Sequence, residues 1–233
     1  MSQPVSPDNS YVSKVKTEIE NRGKKGSMLG RPILFLDLET TGLNPGQHEI
    51  TEVGALLVSQ PDYKTIATYQ SKVMPVHLET ATPEALQIGH FDLASWTREA
   101  KSLETAMSEL AEVGRDAILA GFNLTFDWAF LQMAFNQCKL EDPFYYHRFD
   151  VMSSGFTMLY NQPGLKKFSL REMCQFFGLT NKAAHTAYGD AEATFEVFLG
   201  LMRFRPGDGP AVKQTRPTMP GEDVIEQPTT PEV

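Results

Sequence analysis

The chain has 233 residues, 41% hydrophobic and 21% charged, with a formal net charge of −8. This is the composition of a globular domain with a sizeable core, and it argues against a broad basic surface that coats DNA. No run of 18 apolar residues marks a membrane span, and the opening "MSQPVSPDNSYVSKVK" lacks the apolar stretch of a secretory signal, so no membrane partner and a cytoplasmic setting are expected. Residues 1–31 carry six basic and three acidic side chains, and residues 206–233 carry two and five. Residues 1–30 and the Pro-, Thr- and Glu-rich 206–233 read as disordered tails around a single domain over 31–205.

Within that domain "PILFLDL" is a buried strand by length and content. "EITEVGALLVSQ" and "TIATYQSKVMP" follow as strands joined by a turn at "PDYK". "SLETAMSELAEVGRD" places Leu103, Ala106, Leu110 and Val113 on one helical face, with Ser102 as N-cap. "AILAGFN" is a short strand. "TFDWAFLQMAFNQCKL" is a helix with Phe126, Phe130, Met133 and Ala134 or Gln137 in register. "HRFDV" is a strand end, after which Asp150 reads most simply as a helix N-cap. "SLREMCQFFG" has a capping box of Ser169 with Glu172 and stops at Gly178, and "AYGDAEATFEVFLGLMRF" is a long last helix. Three antiparallel strands in series, then parallel strands alternating with helices, give an α/β fold with a mixed sheet flanked by helices. Cys138 and Cys174 sit in apolar helical patterns and read as reduced core residues.

Three short patterns carry chemistry. Asp37 and Glu39 end the first apolar strand on the same face, about 6.5 Å apart along it. Two carboxylates there need something of opposite sign to meet them, unless the strand end is solvated. Asp127 opens a helix after a strand, with Asn123 four residues earlier. A first-turn Asp is favoured by the helix dipole, and Asn123 is an ordinary N-cap or loop residue. His185 lies in the loop before the last helix, whose first turn holds Asp190. Among the other histidines, His48, His77, His90 and His147, none precedes an Asp at this spacing beside a helix start.

Taken together, "LDLETTGL", "EITEVGAL", "FNLTFDWAFL", "FDVMSS", "SLREMCQFFGL" and "AAHTAYGDAEAT" resemble the DEDDh branch of the 3′-to-5′ exonuclease superfamily over about residues 32–204. The tyrosine branch would put Tyr where Thr186 stands, so the histidine branch fits. The resemblance implies a ribonuclease H-like fold and two divalent cations, Mg²⁺ or Mn²⁺, held by Asp37, Glu39, Asp127 and Asp190. It implies His185 as the base that takes the proton of the attacking water. It places Leu43 against the terminal base and the backbone at Thr40 and Thr41 near the terminal 3′-hydroxyl. It likens "PEALQIGHFD" to an apolar wedge carrying Ile88, His90 and Phe91, and lets Asn123 contact substrate or order its loop. For Phe91, core packing is an equal reading. "EDPFYYHRFD" loosely resembles the base-stacking segment of ribonuclease T, which makes Tyr146 a candidate. The simpler reading has Phe144 and Phe149 in the core and the tyrosines exposed.

The implied activity is 3′–5′ exonucleolytic release of nucleoside 5′-monophosphates from single-stranded DNA or RNA 3′ ends, with DNA narrowly favoured. A polymerase or a replication or repair protein is the expected kind of protein partner. The alternatives are an RNA-trimming exoribonuclease of ribonuclease T or oligoribonuclease type, and a non-catalytic polymerase-accessory module.

Overall fold

The structure is a computed structural model that describes residues 27–181 and 183–205. The expected tails fall outside those residues, apart from the turn at 27–30, which Gln60 Nε2 holds by donating to the Met28 carbonyl at 3.1 Å.

Five strands form one sheet: β1 (Ile33–Thr40), β2 (Ile50–Val58), β3 (Thr65–Lys72), β4 (Ile118–Gly121) and β5 (Arg148–Asp150), in the spatial order β3-β2-β1-β4-β5. β1 pairs antiparallel with β2, which pairs antiparallel with β3, while β4 runs parallel to β1 and β5 parallel to β4. The mixed sheet flanked by helices is thus the expected architecture. β1 is apolar at nearly every position because it is central and covered on both faces. Leu34, Leu36 and Leu38 face one core, with α3 (Leu103–Val113) and α4 (Leu124–Gln137). Ile33 and Phe35 face the other, with α5 (Val151–Leu159), α6 (Leu170–Phe176) and α7 (Ala187–Arg203). β3 is an edge strand, and its exposed Thr65, Thr68 and Gln70 show it.

Two short helices were not foreseen, α1 (Pro83–Ile88) and α2 (Leu93–Glu99). Both are shorter than the window in which helical periodicity shows, but each has a local start signal. Thr82 caps α1 ahead of Pro83, and Asp92 caps α2 by accepting the Ser95 N–H at 2.8 Å.

Ser102 caps α3 as expected. The face of α4 differs from expectation. Its buried side is Asp127, Phe130, Leu131, Ala134 and Phe135, so Met133 and Gln137 turn outward. The rotation follows from Asp127, which points inward. The capping box is also modified. Ser169 accepts the Glu172 N–H, but the Glu172 carboxylate reaches past Ser169 to the N–H groups of Lys166, Lys167 and Phe168. Cys174 is buried and Cys138 half-buried, and neither is in a disulfide.

Candidate active site

The sheet itself assembles the site. β1 and β4 pair from Ile33 and Ile118 only as far as Phe35 and Ala120, and the chain then leaves β4 at Gly121 to enter α4. The last part of β1 therefore has an open edge. Asp127, in the first turn of α4, fills it: its Oδ1 accepts the Leu38 N–H at 3.0 Å. A buried backbone donor left bare would be costly, and that explains why an acid with 3% exposure is tolerated here.

On the other side, Asp37 lies opposite Gly54 of β2. A Cβ at Gly54 would stand 2.0 Å from the Tyr188 backbone nitrogen. The missing side chain lets the first turn of α7 settle directly on β2, next to Asp37. Asp190 sits in that turn. One carboxylate oxygen from each of Asp37, Glu39 and Asp190 lies within 4.8 Å of the others.

The loop before α7 is folded against the same helix turn. Asn181 donates to one oxygen of Asp190 and accepts the Ala183 N–H at 3.2 Å, and the His185 N–H donates to the other Asp190 oxygen at 3.3 Å. Thr186 caps α7 by accepting the Gly189 N–H. A Cβ at Gly189 would lie 2.2 Å from the Ala183 carbonyl oxygen, so glycine is what allows this approach. His185 is exposed, with φ +63°.

The electrostatics are one-sided. Burial pushes the Asp37 carboxyl well up, and the charges acting on it, Asp127, Asp190, Glu39 and Glu52, are all acidic. Burial raises Glu39 to about 7, aided by Asp190 and Glu52. Burial raises Asp127 to about 8, although its own and the Leu38 backbone N–H groups pull it down. Burial also raises Asp190, against the lowering effect of the Asn181 and His185 hydrogen bonds and the nearby His185. Such a cluster binds either protons or cations. Its donors are all oxygen, which fits a hard divalent ion rather than zinc. Asp37, Glu39 and Asp190 would hold such an ion, with Asp127 beside them.

The surrounding candidates divide. Leu43 is 82% exposed, in the loop that follows β1. That loop is stiffened by His48, whose Nδ1 accepts the Asn44 N–H at 2.9 Å and whose ring lies where a Cβ on Gly42 would go. Thr40 Oγ1 donates to the Gly42 carbonyl at 2.7 Å. Thr41 is fully buried; its N–H donates to the Glu49 carbonyl at 2.8 Å and its hydroxyl accepts the Glu49 N–H. The Thr41 amide is therefore committed to the loop.

α1 docks on this loop through the Thr82 N–H, which donates to the Thr41 carbonyl at 2.8 Å. At the end of α1, Gly89 lies against the Glu39 side chain: a Cβ there would be 3.2 Å from Glu39 Oε2. Ile88 is 52% exposed and His90 is exposed, both at the rim beside Glu39. Phe91 is half-buried against Trp96, ring centroids 4.9 Å apart, so both readings of it hold in part.

Asn123 has φ +61° and makes no side-chain cap. Asp150 replaces it. Its Oδ1 accepts the Leu124 N–H at 3.0 Å and its Oδ2 the Ser153 N–H at 2.9 Å, so one carboxylate caps both α4 and α5.

Tyr146 does not join the site. It precedes β5, and its neighbour Tyr145 donates its N–H to the Ala117 carbonyl and lies under the Arg31 guanidinium at 4.0 Å. Those partners mark the beginnings of β4 and β1. The carboxylates are at their ends, at least about 13 Å away along four residues of strand. Tyr145 is also buried, contrary to the expectation that both tyrosines are exposed.

Glu52, Gly54, Gly89 and Asn181 were not singled out from sequence. The signal for the first two was present: in "TEVGALLV" a charged and a side-chain-free residue share the face that otherwise holds Leu56 and Val58.

Residues 34–198 match the RNase_T family model, described as Exonuclease. Ribonuclease T of Baumannia cicadellinicola subsp. Homalodisca coagulata is 29% identical over 183 residues, 72% of this chain and 82% of that protein. The DNA polymerase III subunit epsilon of Treponema pallidum is 27% identical over 168 residues, 71% of this chain and 74% of that one. The PolC-type DNA polymerase III of Thermotoga petrophila is 26% identical over 81% of this chain, which spans 13% of that much longer protein. The crystal structure of E. coli Exonuclease I in complex with a dT13 oligonucleotide superposes with a TM-score of 0.63 at 18% identity, over 74% of this chain and 40% of that one. This last similarity speaks to the fold.

Proposed function

The chain belongs to the RNase_T exonuclease family, and on that footing we propose that it is a 3′–5′ exonuclease that uses two divalent cations, Mg²⁺ or Mn²⁺, to release nucleoside 5′-monophosphates from single-stranded 3′ ends. The observation that carries this is the convergence of Asp37, Glu39 and Asp190 within 4.8 Å, where every charge found acting on Asp37 among the described residues is acidic. Asp37, Glu39, Asp127 and Asp190 hold the cations. When bound, these ions neutralise the phosphodiester and lower the pKa of a water molecule.

The chain's own residues do the rest. His185, exposed at the mouth and tied through its backbone to Asp190, accepts the proton of the attacking water. The exposed Leu43 side chain supports the terminal base, and Ile88, His90 and Phe91 at the rim separate it from the next one. Thr40 fixes the turn that presents Leu43, and Asn123 stands in the loop before α4. Base–aromatic stacking, as Phe91 would supply, is sequence-tolerant, at about 1–3 kcal/mol per base. A polymerase or repair assembly is the proposed partner class, in keeping with the epsilon-subunit relative, and a cytoplasmic setting goes with it. Among the described residues no helix is long and apolar enough to cross a membrane.

DNA is the narrowly favoured substrate. RNA trimming is the second reading, favoured by ribonuclease T relatives matched over about four-fifths of their length. Parallel digestion of 3′-labelled DNA and RNA, single- and double-stranded, in Mg²⁺ and in Mn²⁺, decides between them. Release of mononucleotides from single-stranded DNA ahead of RNA supports the first reading, and the reverse order the second. Absence of release from every substrate overturns both.

A further inference from the structure

The register sets Glu52 opposite Glu39 and Lys72 opposite Glu52, so the three side chains stand in a row across β1, β2 and β3. Directly opposed residues in such pairs are about 4.5–5.5 Å apart at Cβ. Gly54, two residues beyond Glu52 on the same face, is where α7 begins; burial raises the Glu52 carboxyl, against the lowering effects of the Lys72 charge and of a hydrogen bond from the Ala187 N–H. An acid at a helix N-terminus stabilises it, and this helix turn carries Asp190.

Lys72 is held from the other side. Its Nζ donates to Ser95 Oγ at 2.7 Å and to Glu99 Oε2 at 2.6 Å, and lies 4.5 Å from the centroid of the Trp96 ring, all on α2. Trp96 is buried and donates Nε1–H to the Thr51 carbonyl at 2.9 Å. The ammonium is thus fixed in place against α2, from where its charge acts on Glu52.

We propose that Glu52 and Lys72 are a pair of positioning residues that set the cation affinity of the cluster. Glu52 adds negative potential and seats the turn that carries Asp190. Lys72, clamped by α2, limits that potential. The inference rests on reading Asp37, Glu39 and Asp190 as the ion site. Neither member of the pair touches substrate.

The pair gives effects of opposite sign, which loss of packing does not. Mn²⁺ binding to the full chain is measured by titration calorimetry, with circular dichroism to verify folding. Glu52→Gln weakens Mn²⁺ binding and Lys72→Met tightens it, each by about three- to tenfold, the order expected of one partly screened charge near a divalent ion. Lys72→Arg, which keeps the charge, stays near wild type. If Lys72→Met fails to fold, Lys72→Gln takes its place in the same titration. Shifts in the same direction, or both within about twofold of wild type, overturn the pair while the ion site stands. If instead Asp37→Ala binds Mn²⁺ as wild type does, the ion-site reading itself fails, and the pair with it.

Discussion

The two ends of the central strands treat charge in opposite ways. Where β1, β4 and β5 begin, two half-buried arginines each meet an acid and a ring: Arg31 pairs with Asp116 and lies over Tyr145, and Arg148 pairs with Asp142 and lies 3.6 Å over Trp128. Where β1 and β4 end, Asp37, Glu39, Asp127 and Asp190 crowd together, and burial raises every one of them. At the first end each of these cations has an acid beside it, and at the second the charges acting on Asp37 are all acidic. An end that the fold leaves unbalanced needs a ligand of the missing sign. Aromatic side chains occur at both ends, so it is charge balance that separates structure from function here.

The comparison breaks most sharply at Asp37. Asp37→Ala is expected to reduce nucleotide release to background while leaving the fold intact. Its melting temperature in chelator should equal or exceed that of wild type, because the change relieves carboxylate repulsion. Retention of about a tenth of wild-type activity would remove Asp37 from the assigned role.

Next in size is His185→Ala, expected to slow the chemical step by about 10²–10⁴-fold, the range for a positioned base. Mn²⁺ affinity should be nearly unchanged. Single-turnover cleavage from pH 6 to 9 is the readout. The variant's residual rate rises with pH as hydroxide replaces the base, and the wild-type profile differs from it in shape. Coincident profiles at similar rates contradict the assignment.

The unbalanced end should also show in stability without metal. Glu39 at about 7 and Asp127 at about 8 in the fold, against ordinary values of 4.5 and 3.8, mean that the native state holds protons the unfolded chain has released. Between those limits stability falls as pH rises. The melting temperature in chelator should therefore decline from about pH 5 to about pH 8, and saturating Mg²⁺ or Mn²⁺ should flatten the decline. A profile in chelator that is flat or rises over that window contradicts the electrostatic account.

The smallest effects contrast one exposed side chain from each end. Leu43→Ala should weaken binding of a single-stranded oligonucleotide in Ca²⁺ several-fold, in line with about 1 kcal/mol for a base-stacking contact. Tyr146→Ala should leave it within about twofold. The reverse result would move the substrate path to the other end of the sheet.

The strands and the long helices were legible because each is marked locally, by an apolar run or a cap, whereas the four acids stood out only as a set, through the resemblance of the combined motifs. The sequence left unmarked whatever depends on the contact between two distant segments. Asp127 was legible as a first-turn acid, but its bond to Leu38 required knowing that β4 stops pairing at Phe35. Thr41 lay beside the motif acids, yet the chain returns at Glu49 to take its amide. Tyr146 has the right chemistry at the wrong end of a strand, and only strand direction reveals that. Gly54 matters for a helix that begins more than a hundred residues later.

The most direct test of the central claim follows the products of a 3′-labelled single strand with the intact protein in Mn²⁺, with the same protein in chelator, and with Asp37→Ala in Mn²⁺. Labelled nucleoside 5′-monophosphate should appear first, in the presence of metal, and only with Asp37 in place. Release that survives chelation or the loss of Asp37, or first products that are oligonucleotides, would contradict the assignment of the carboxylate end of β1 as the catalytic centre.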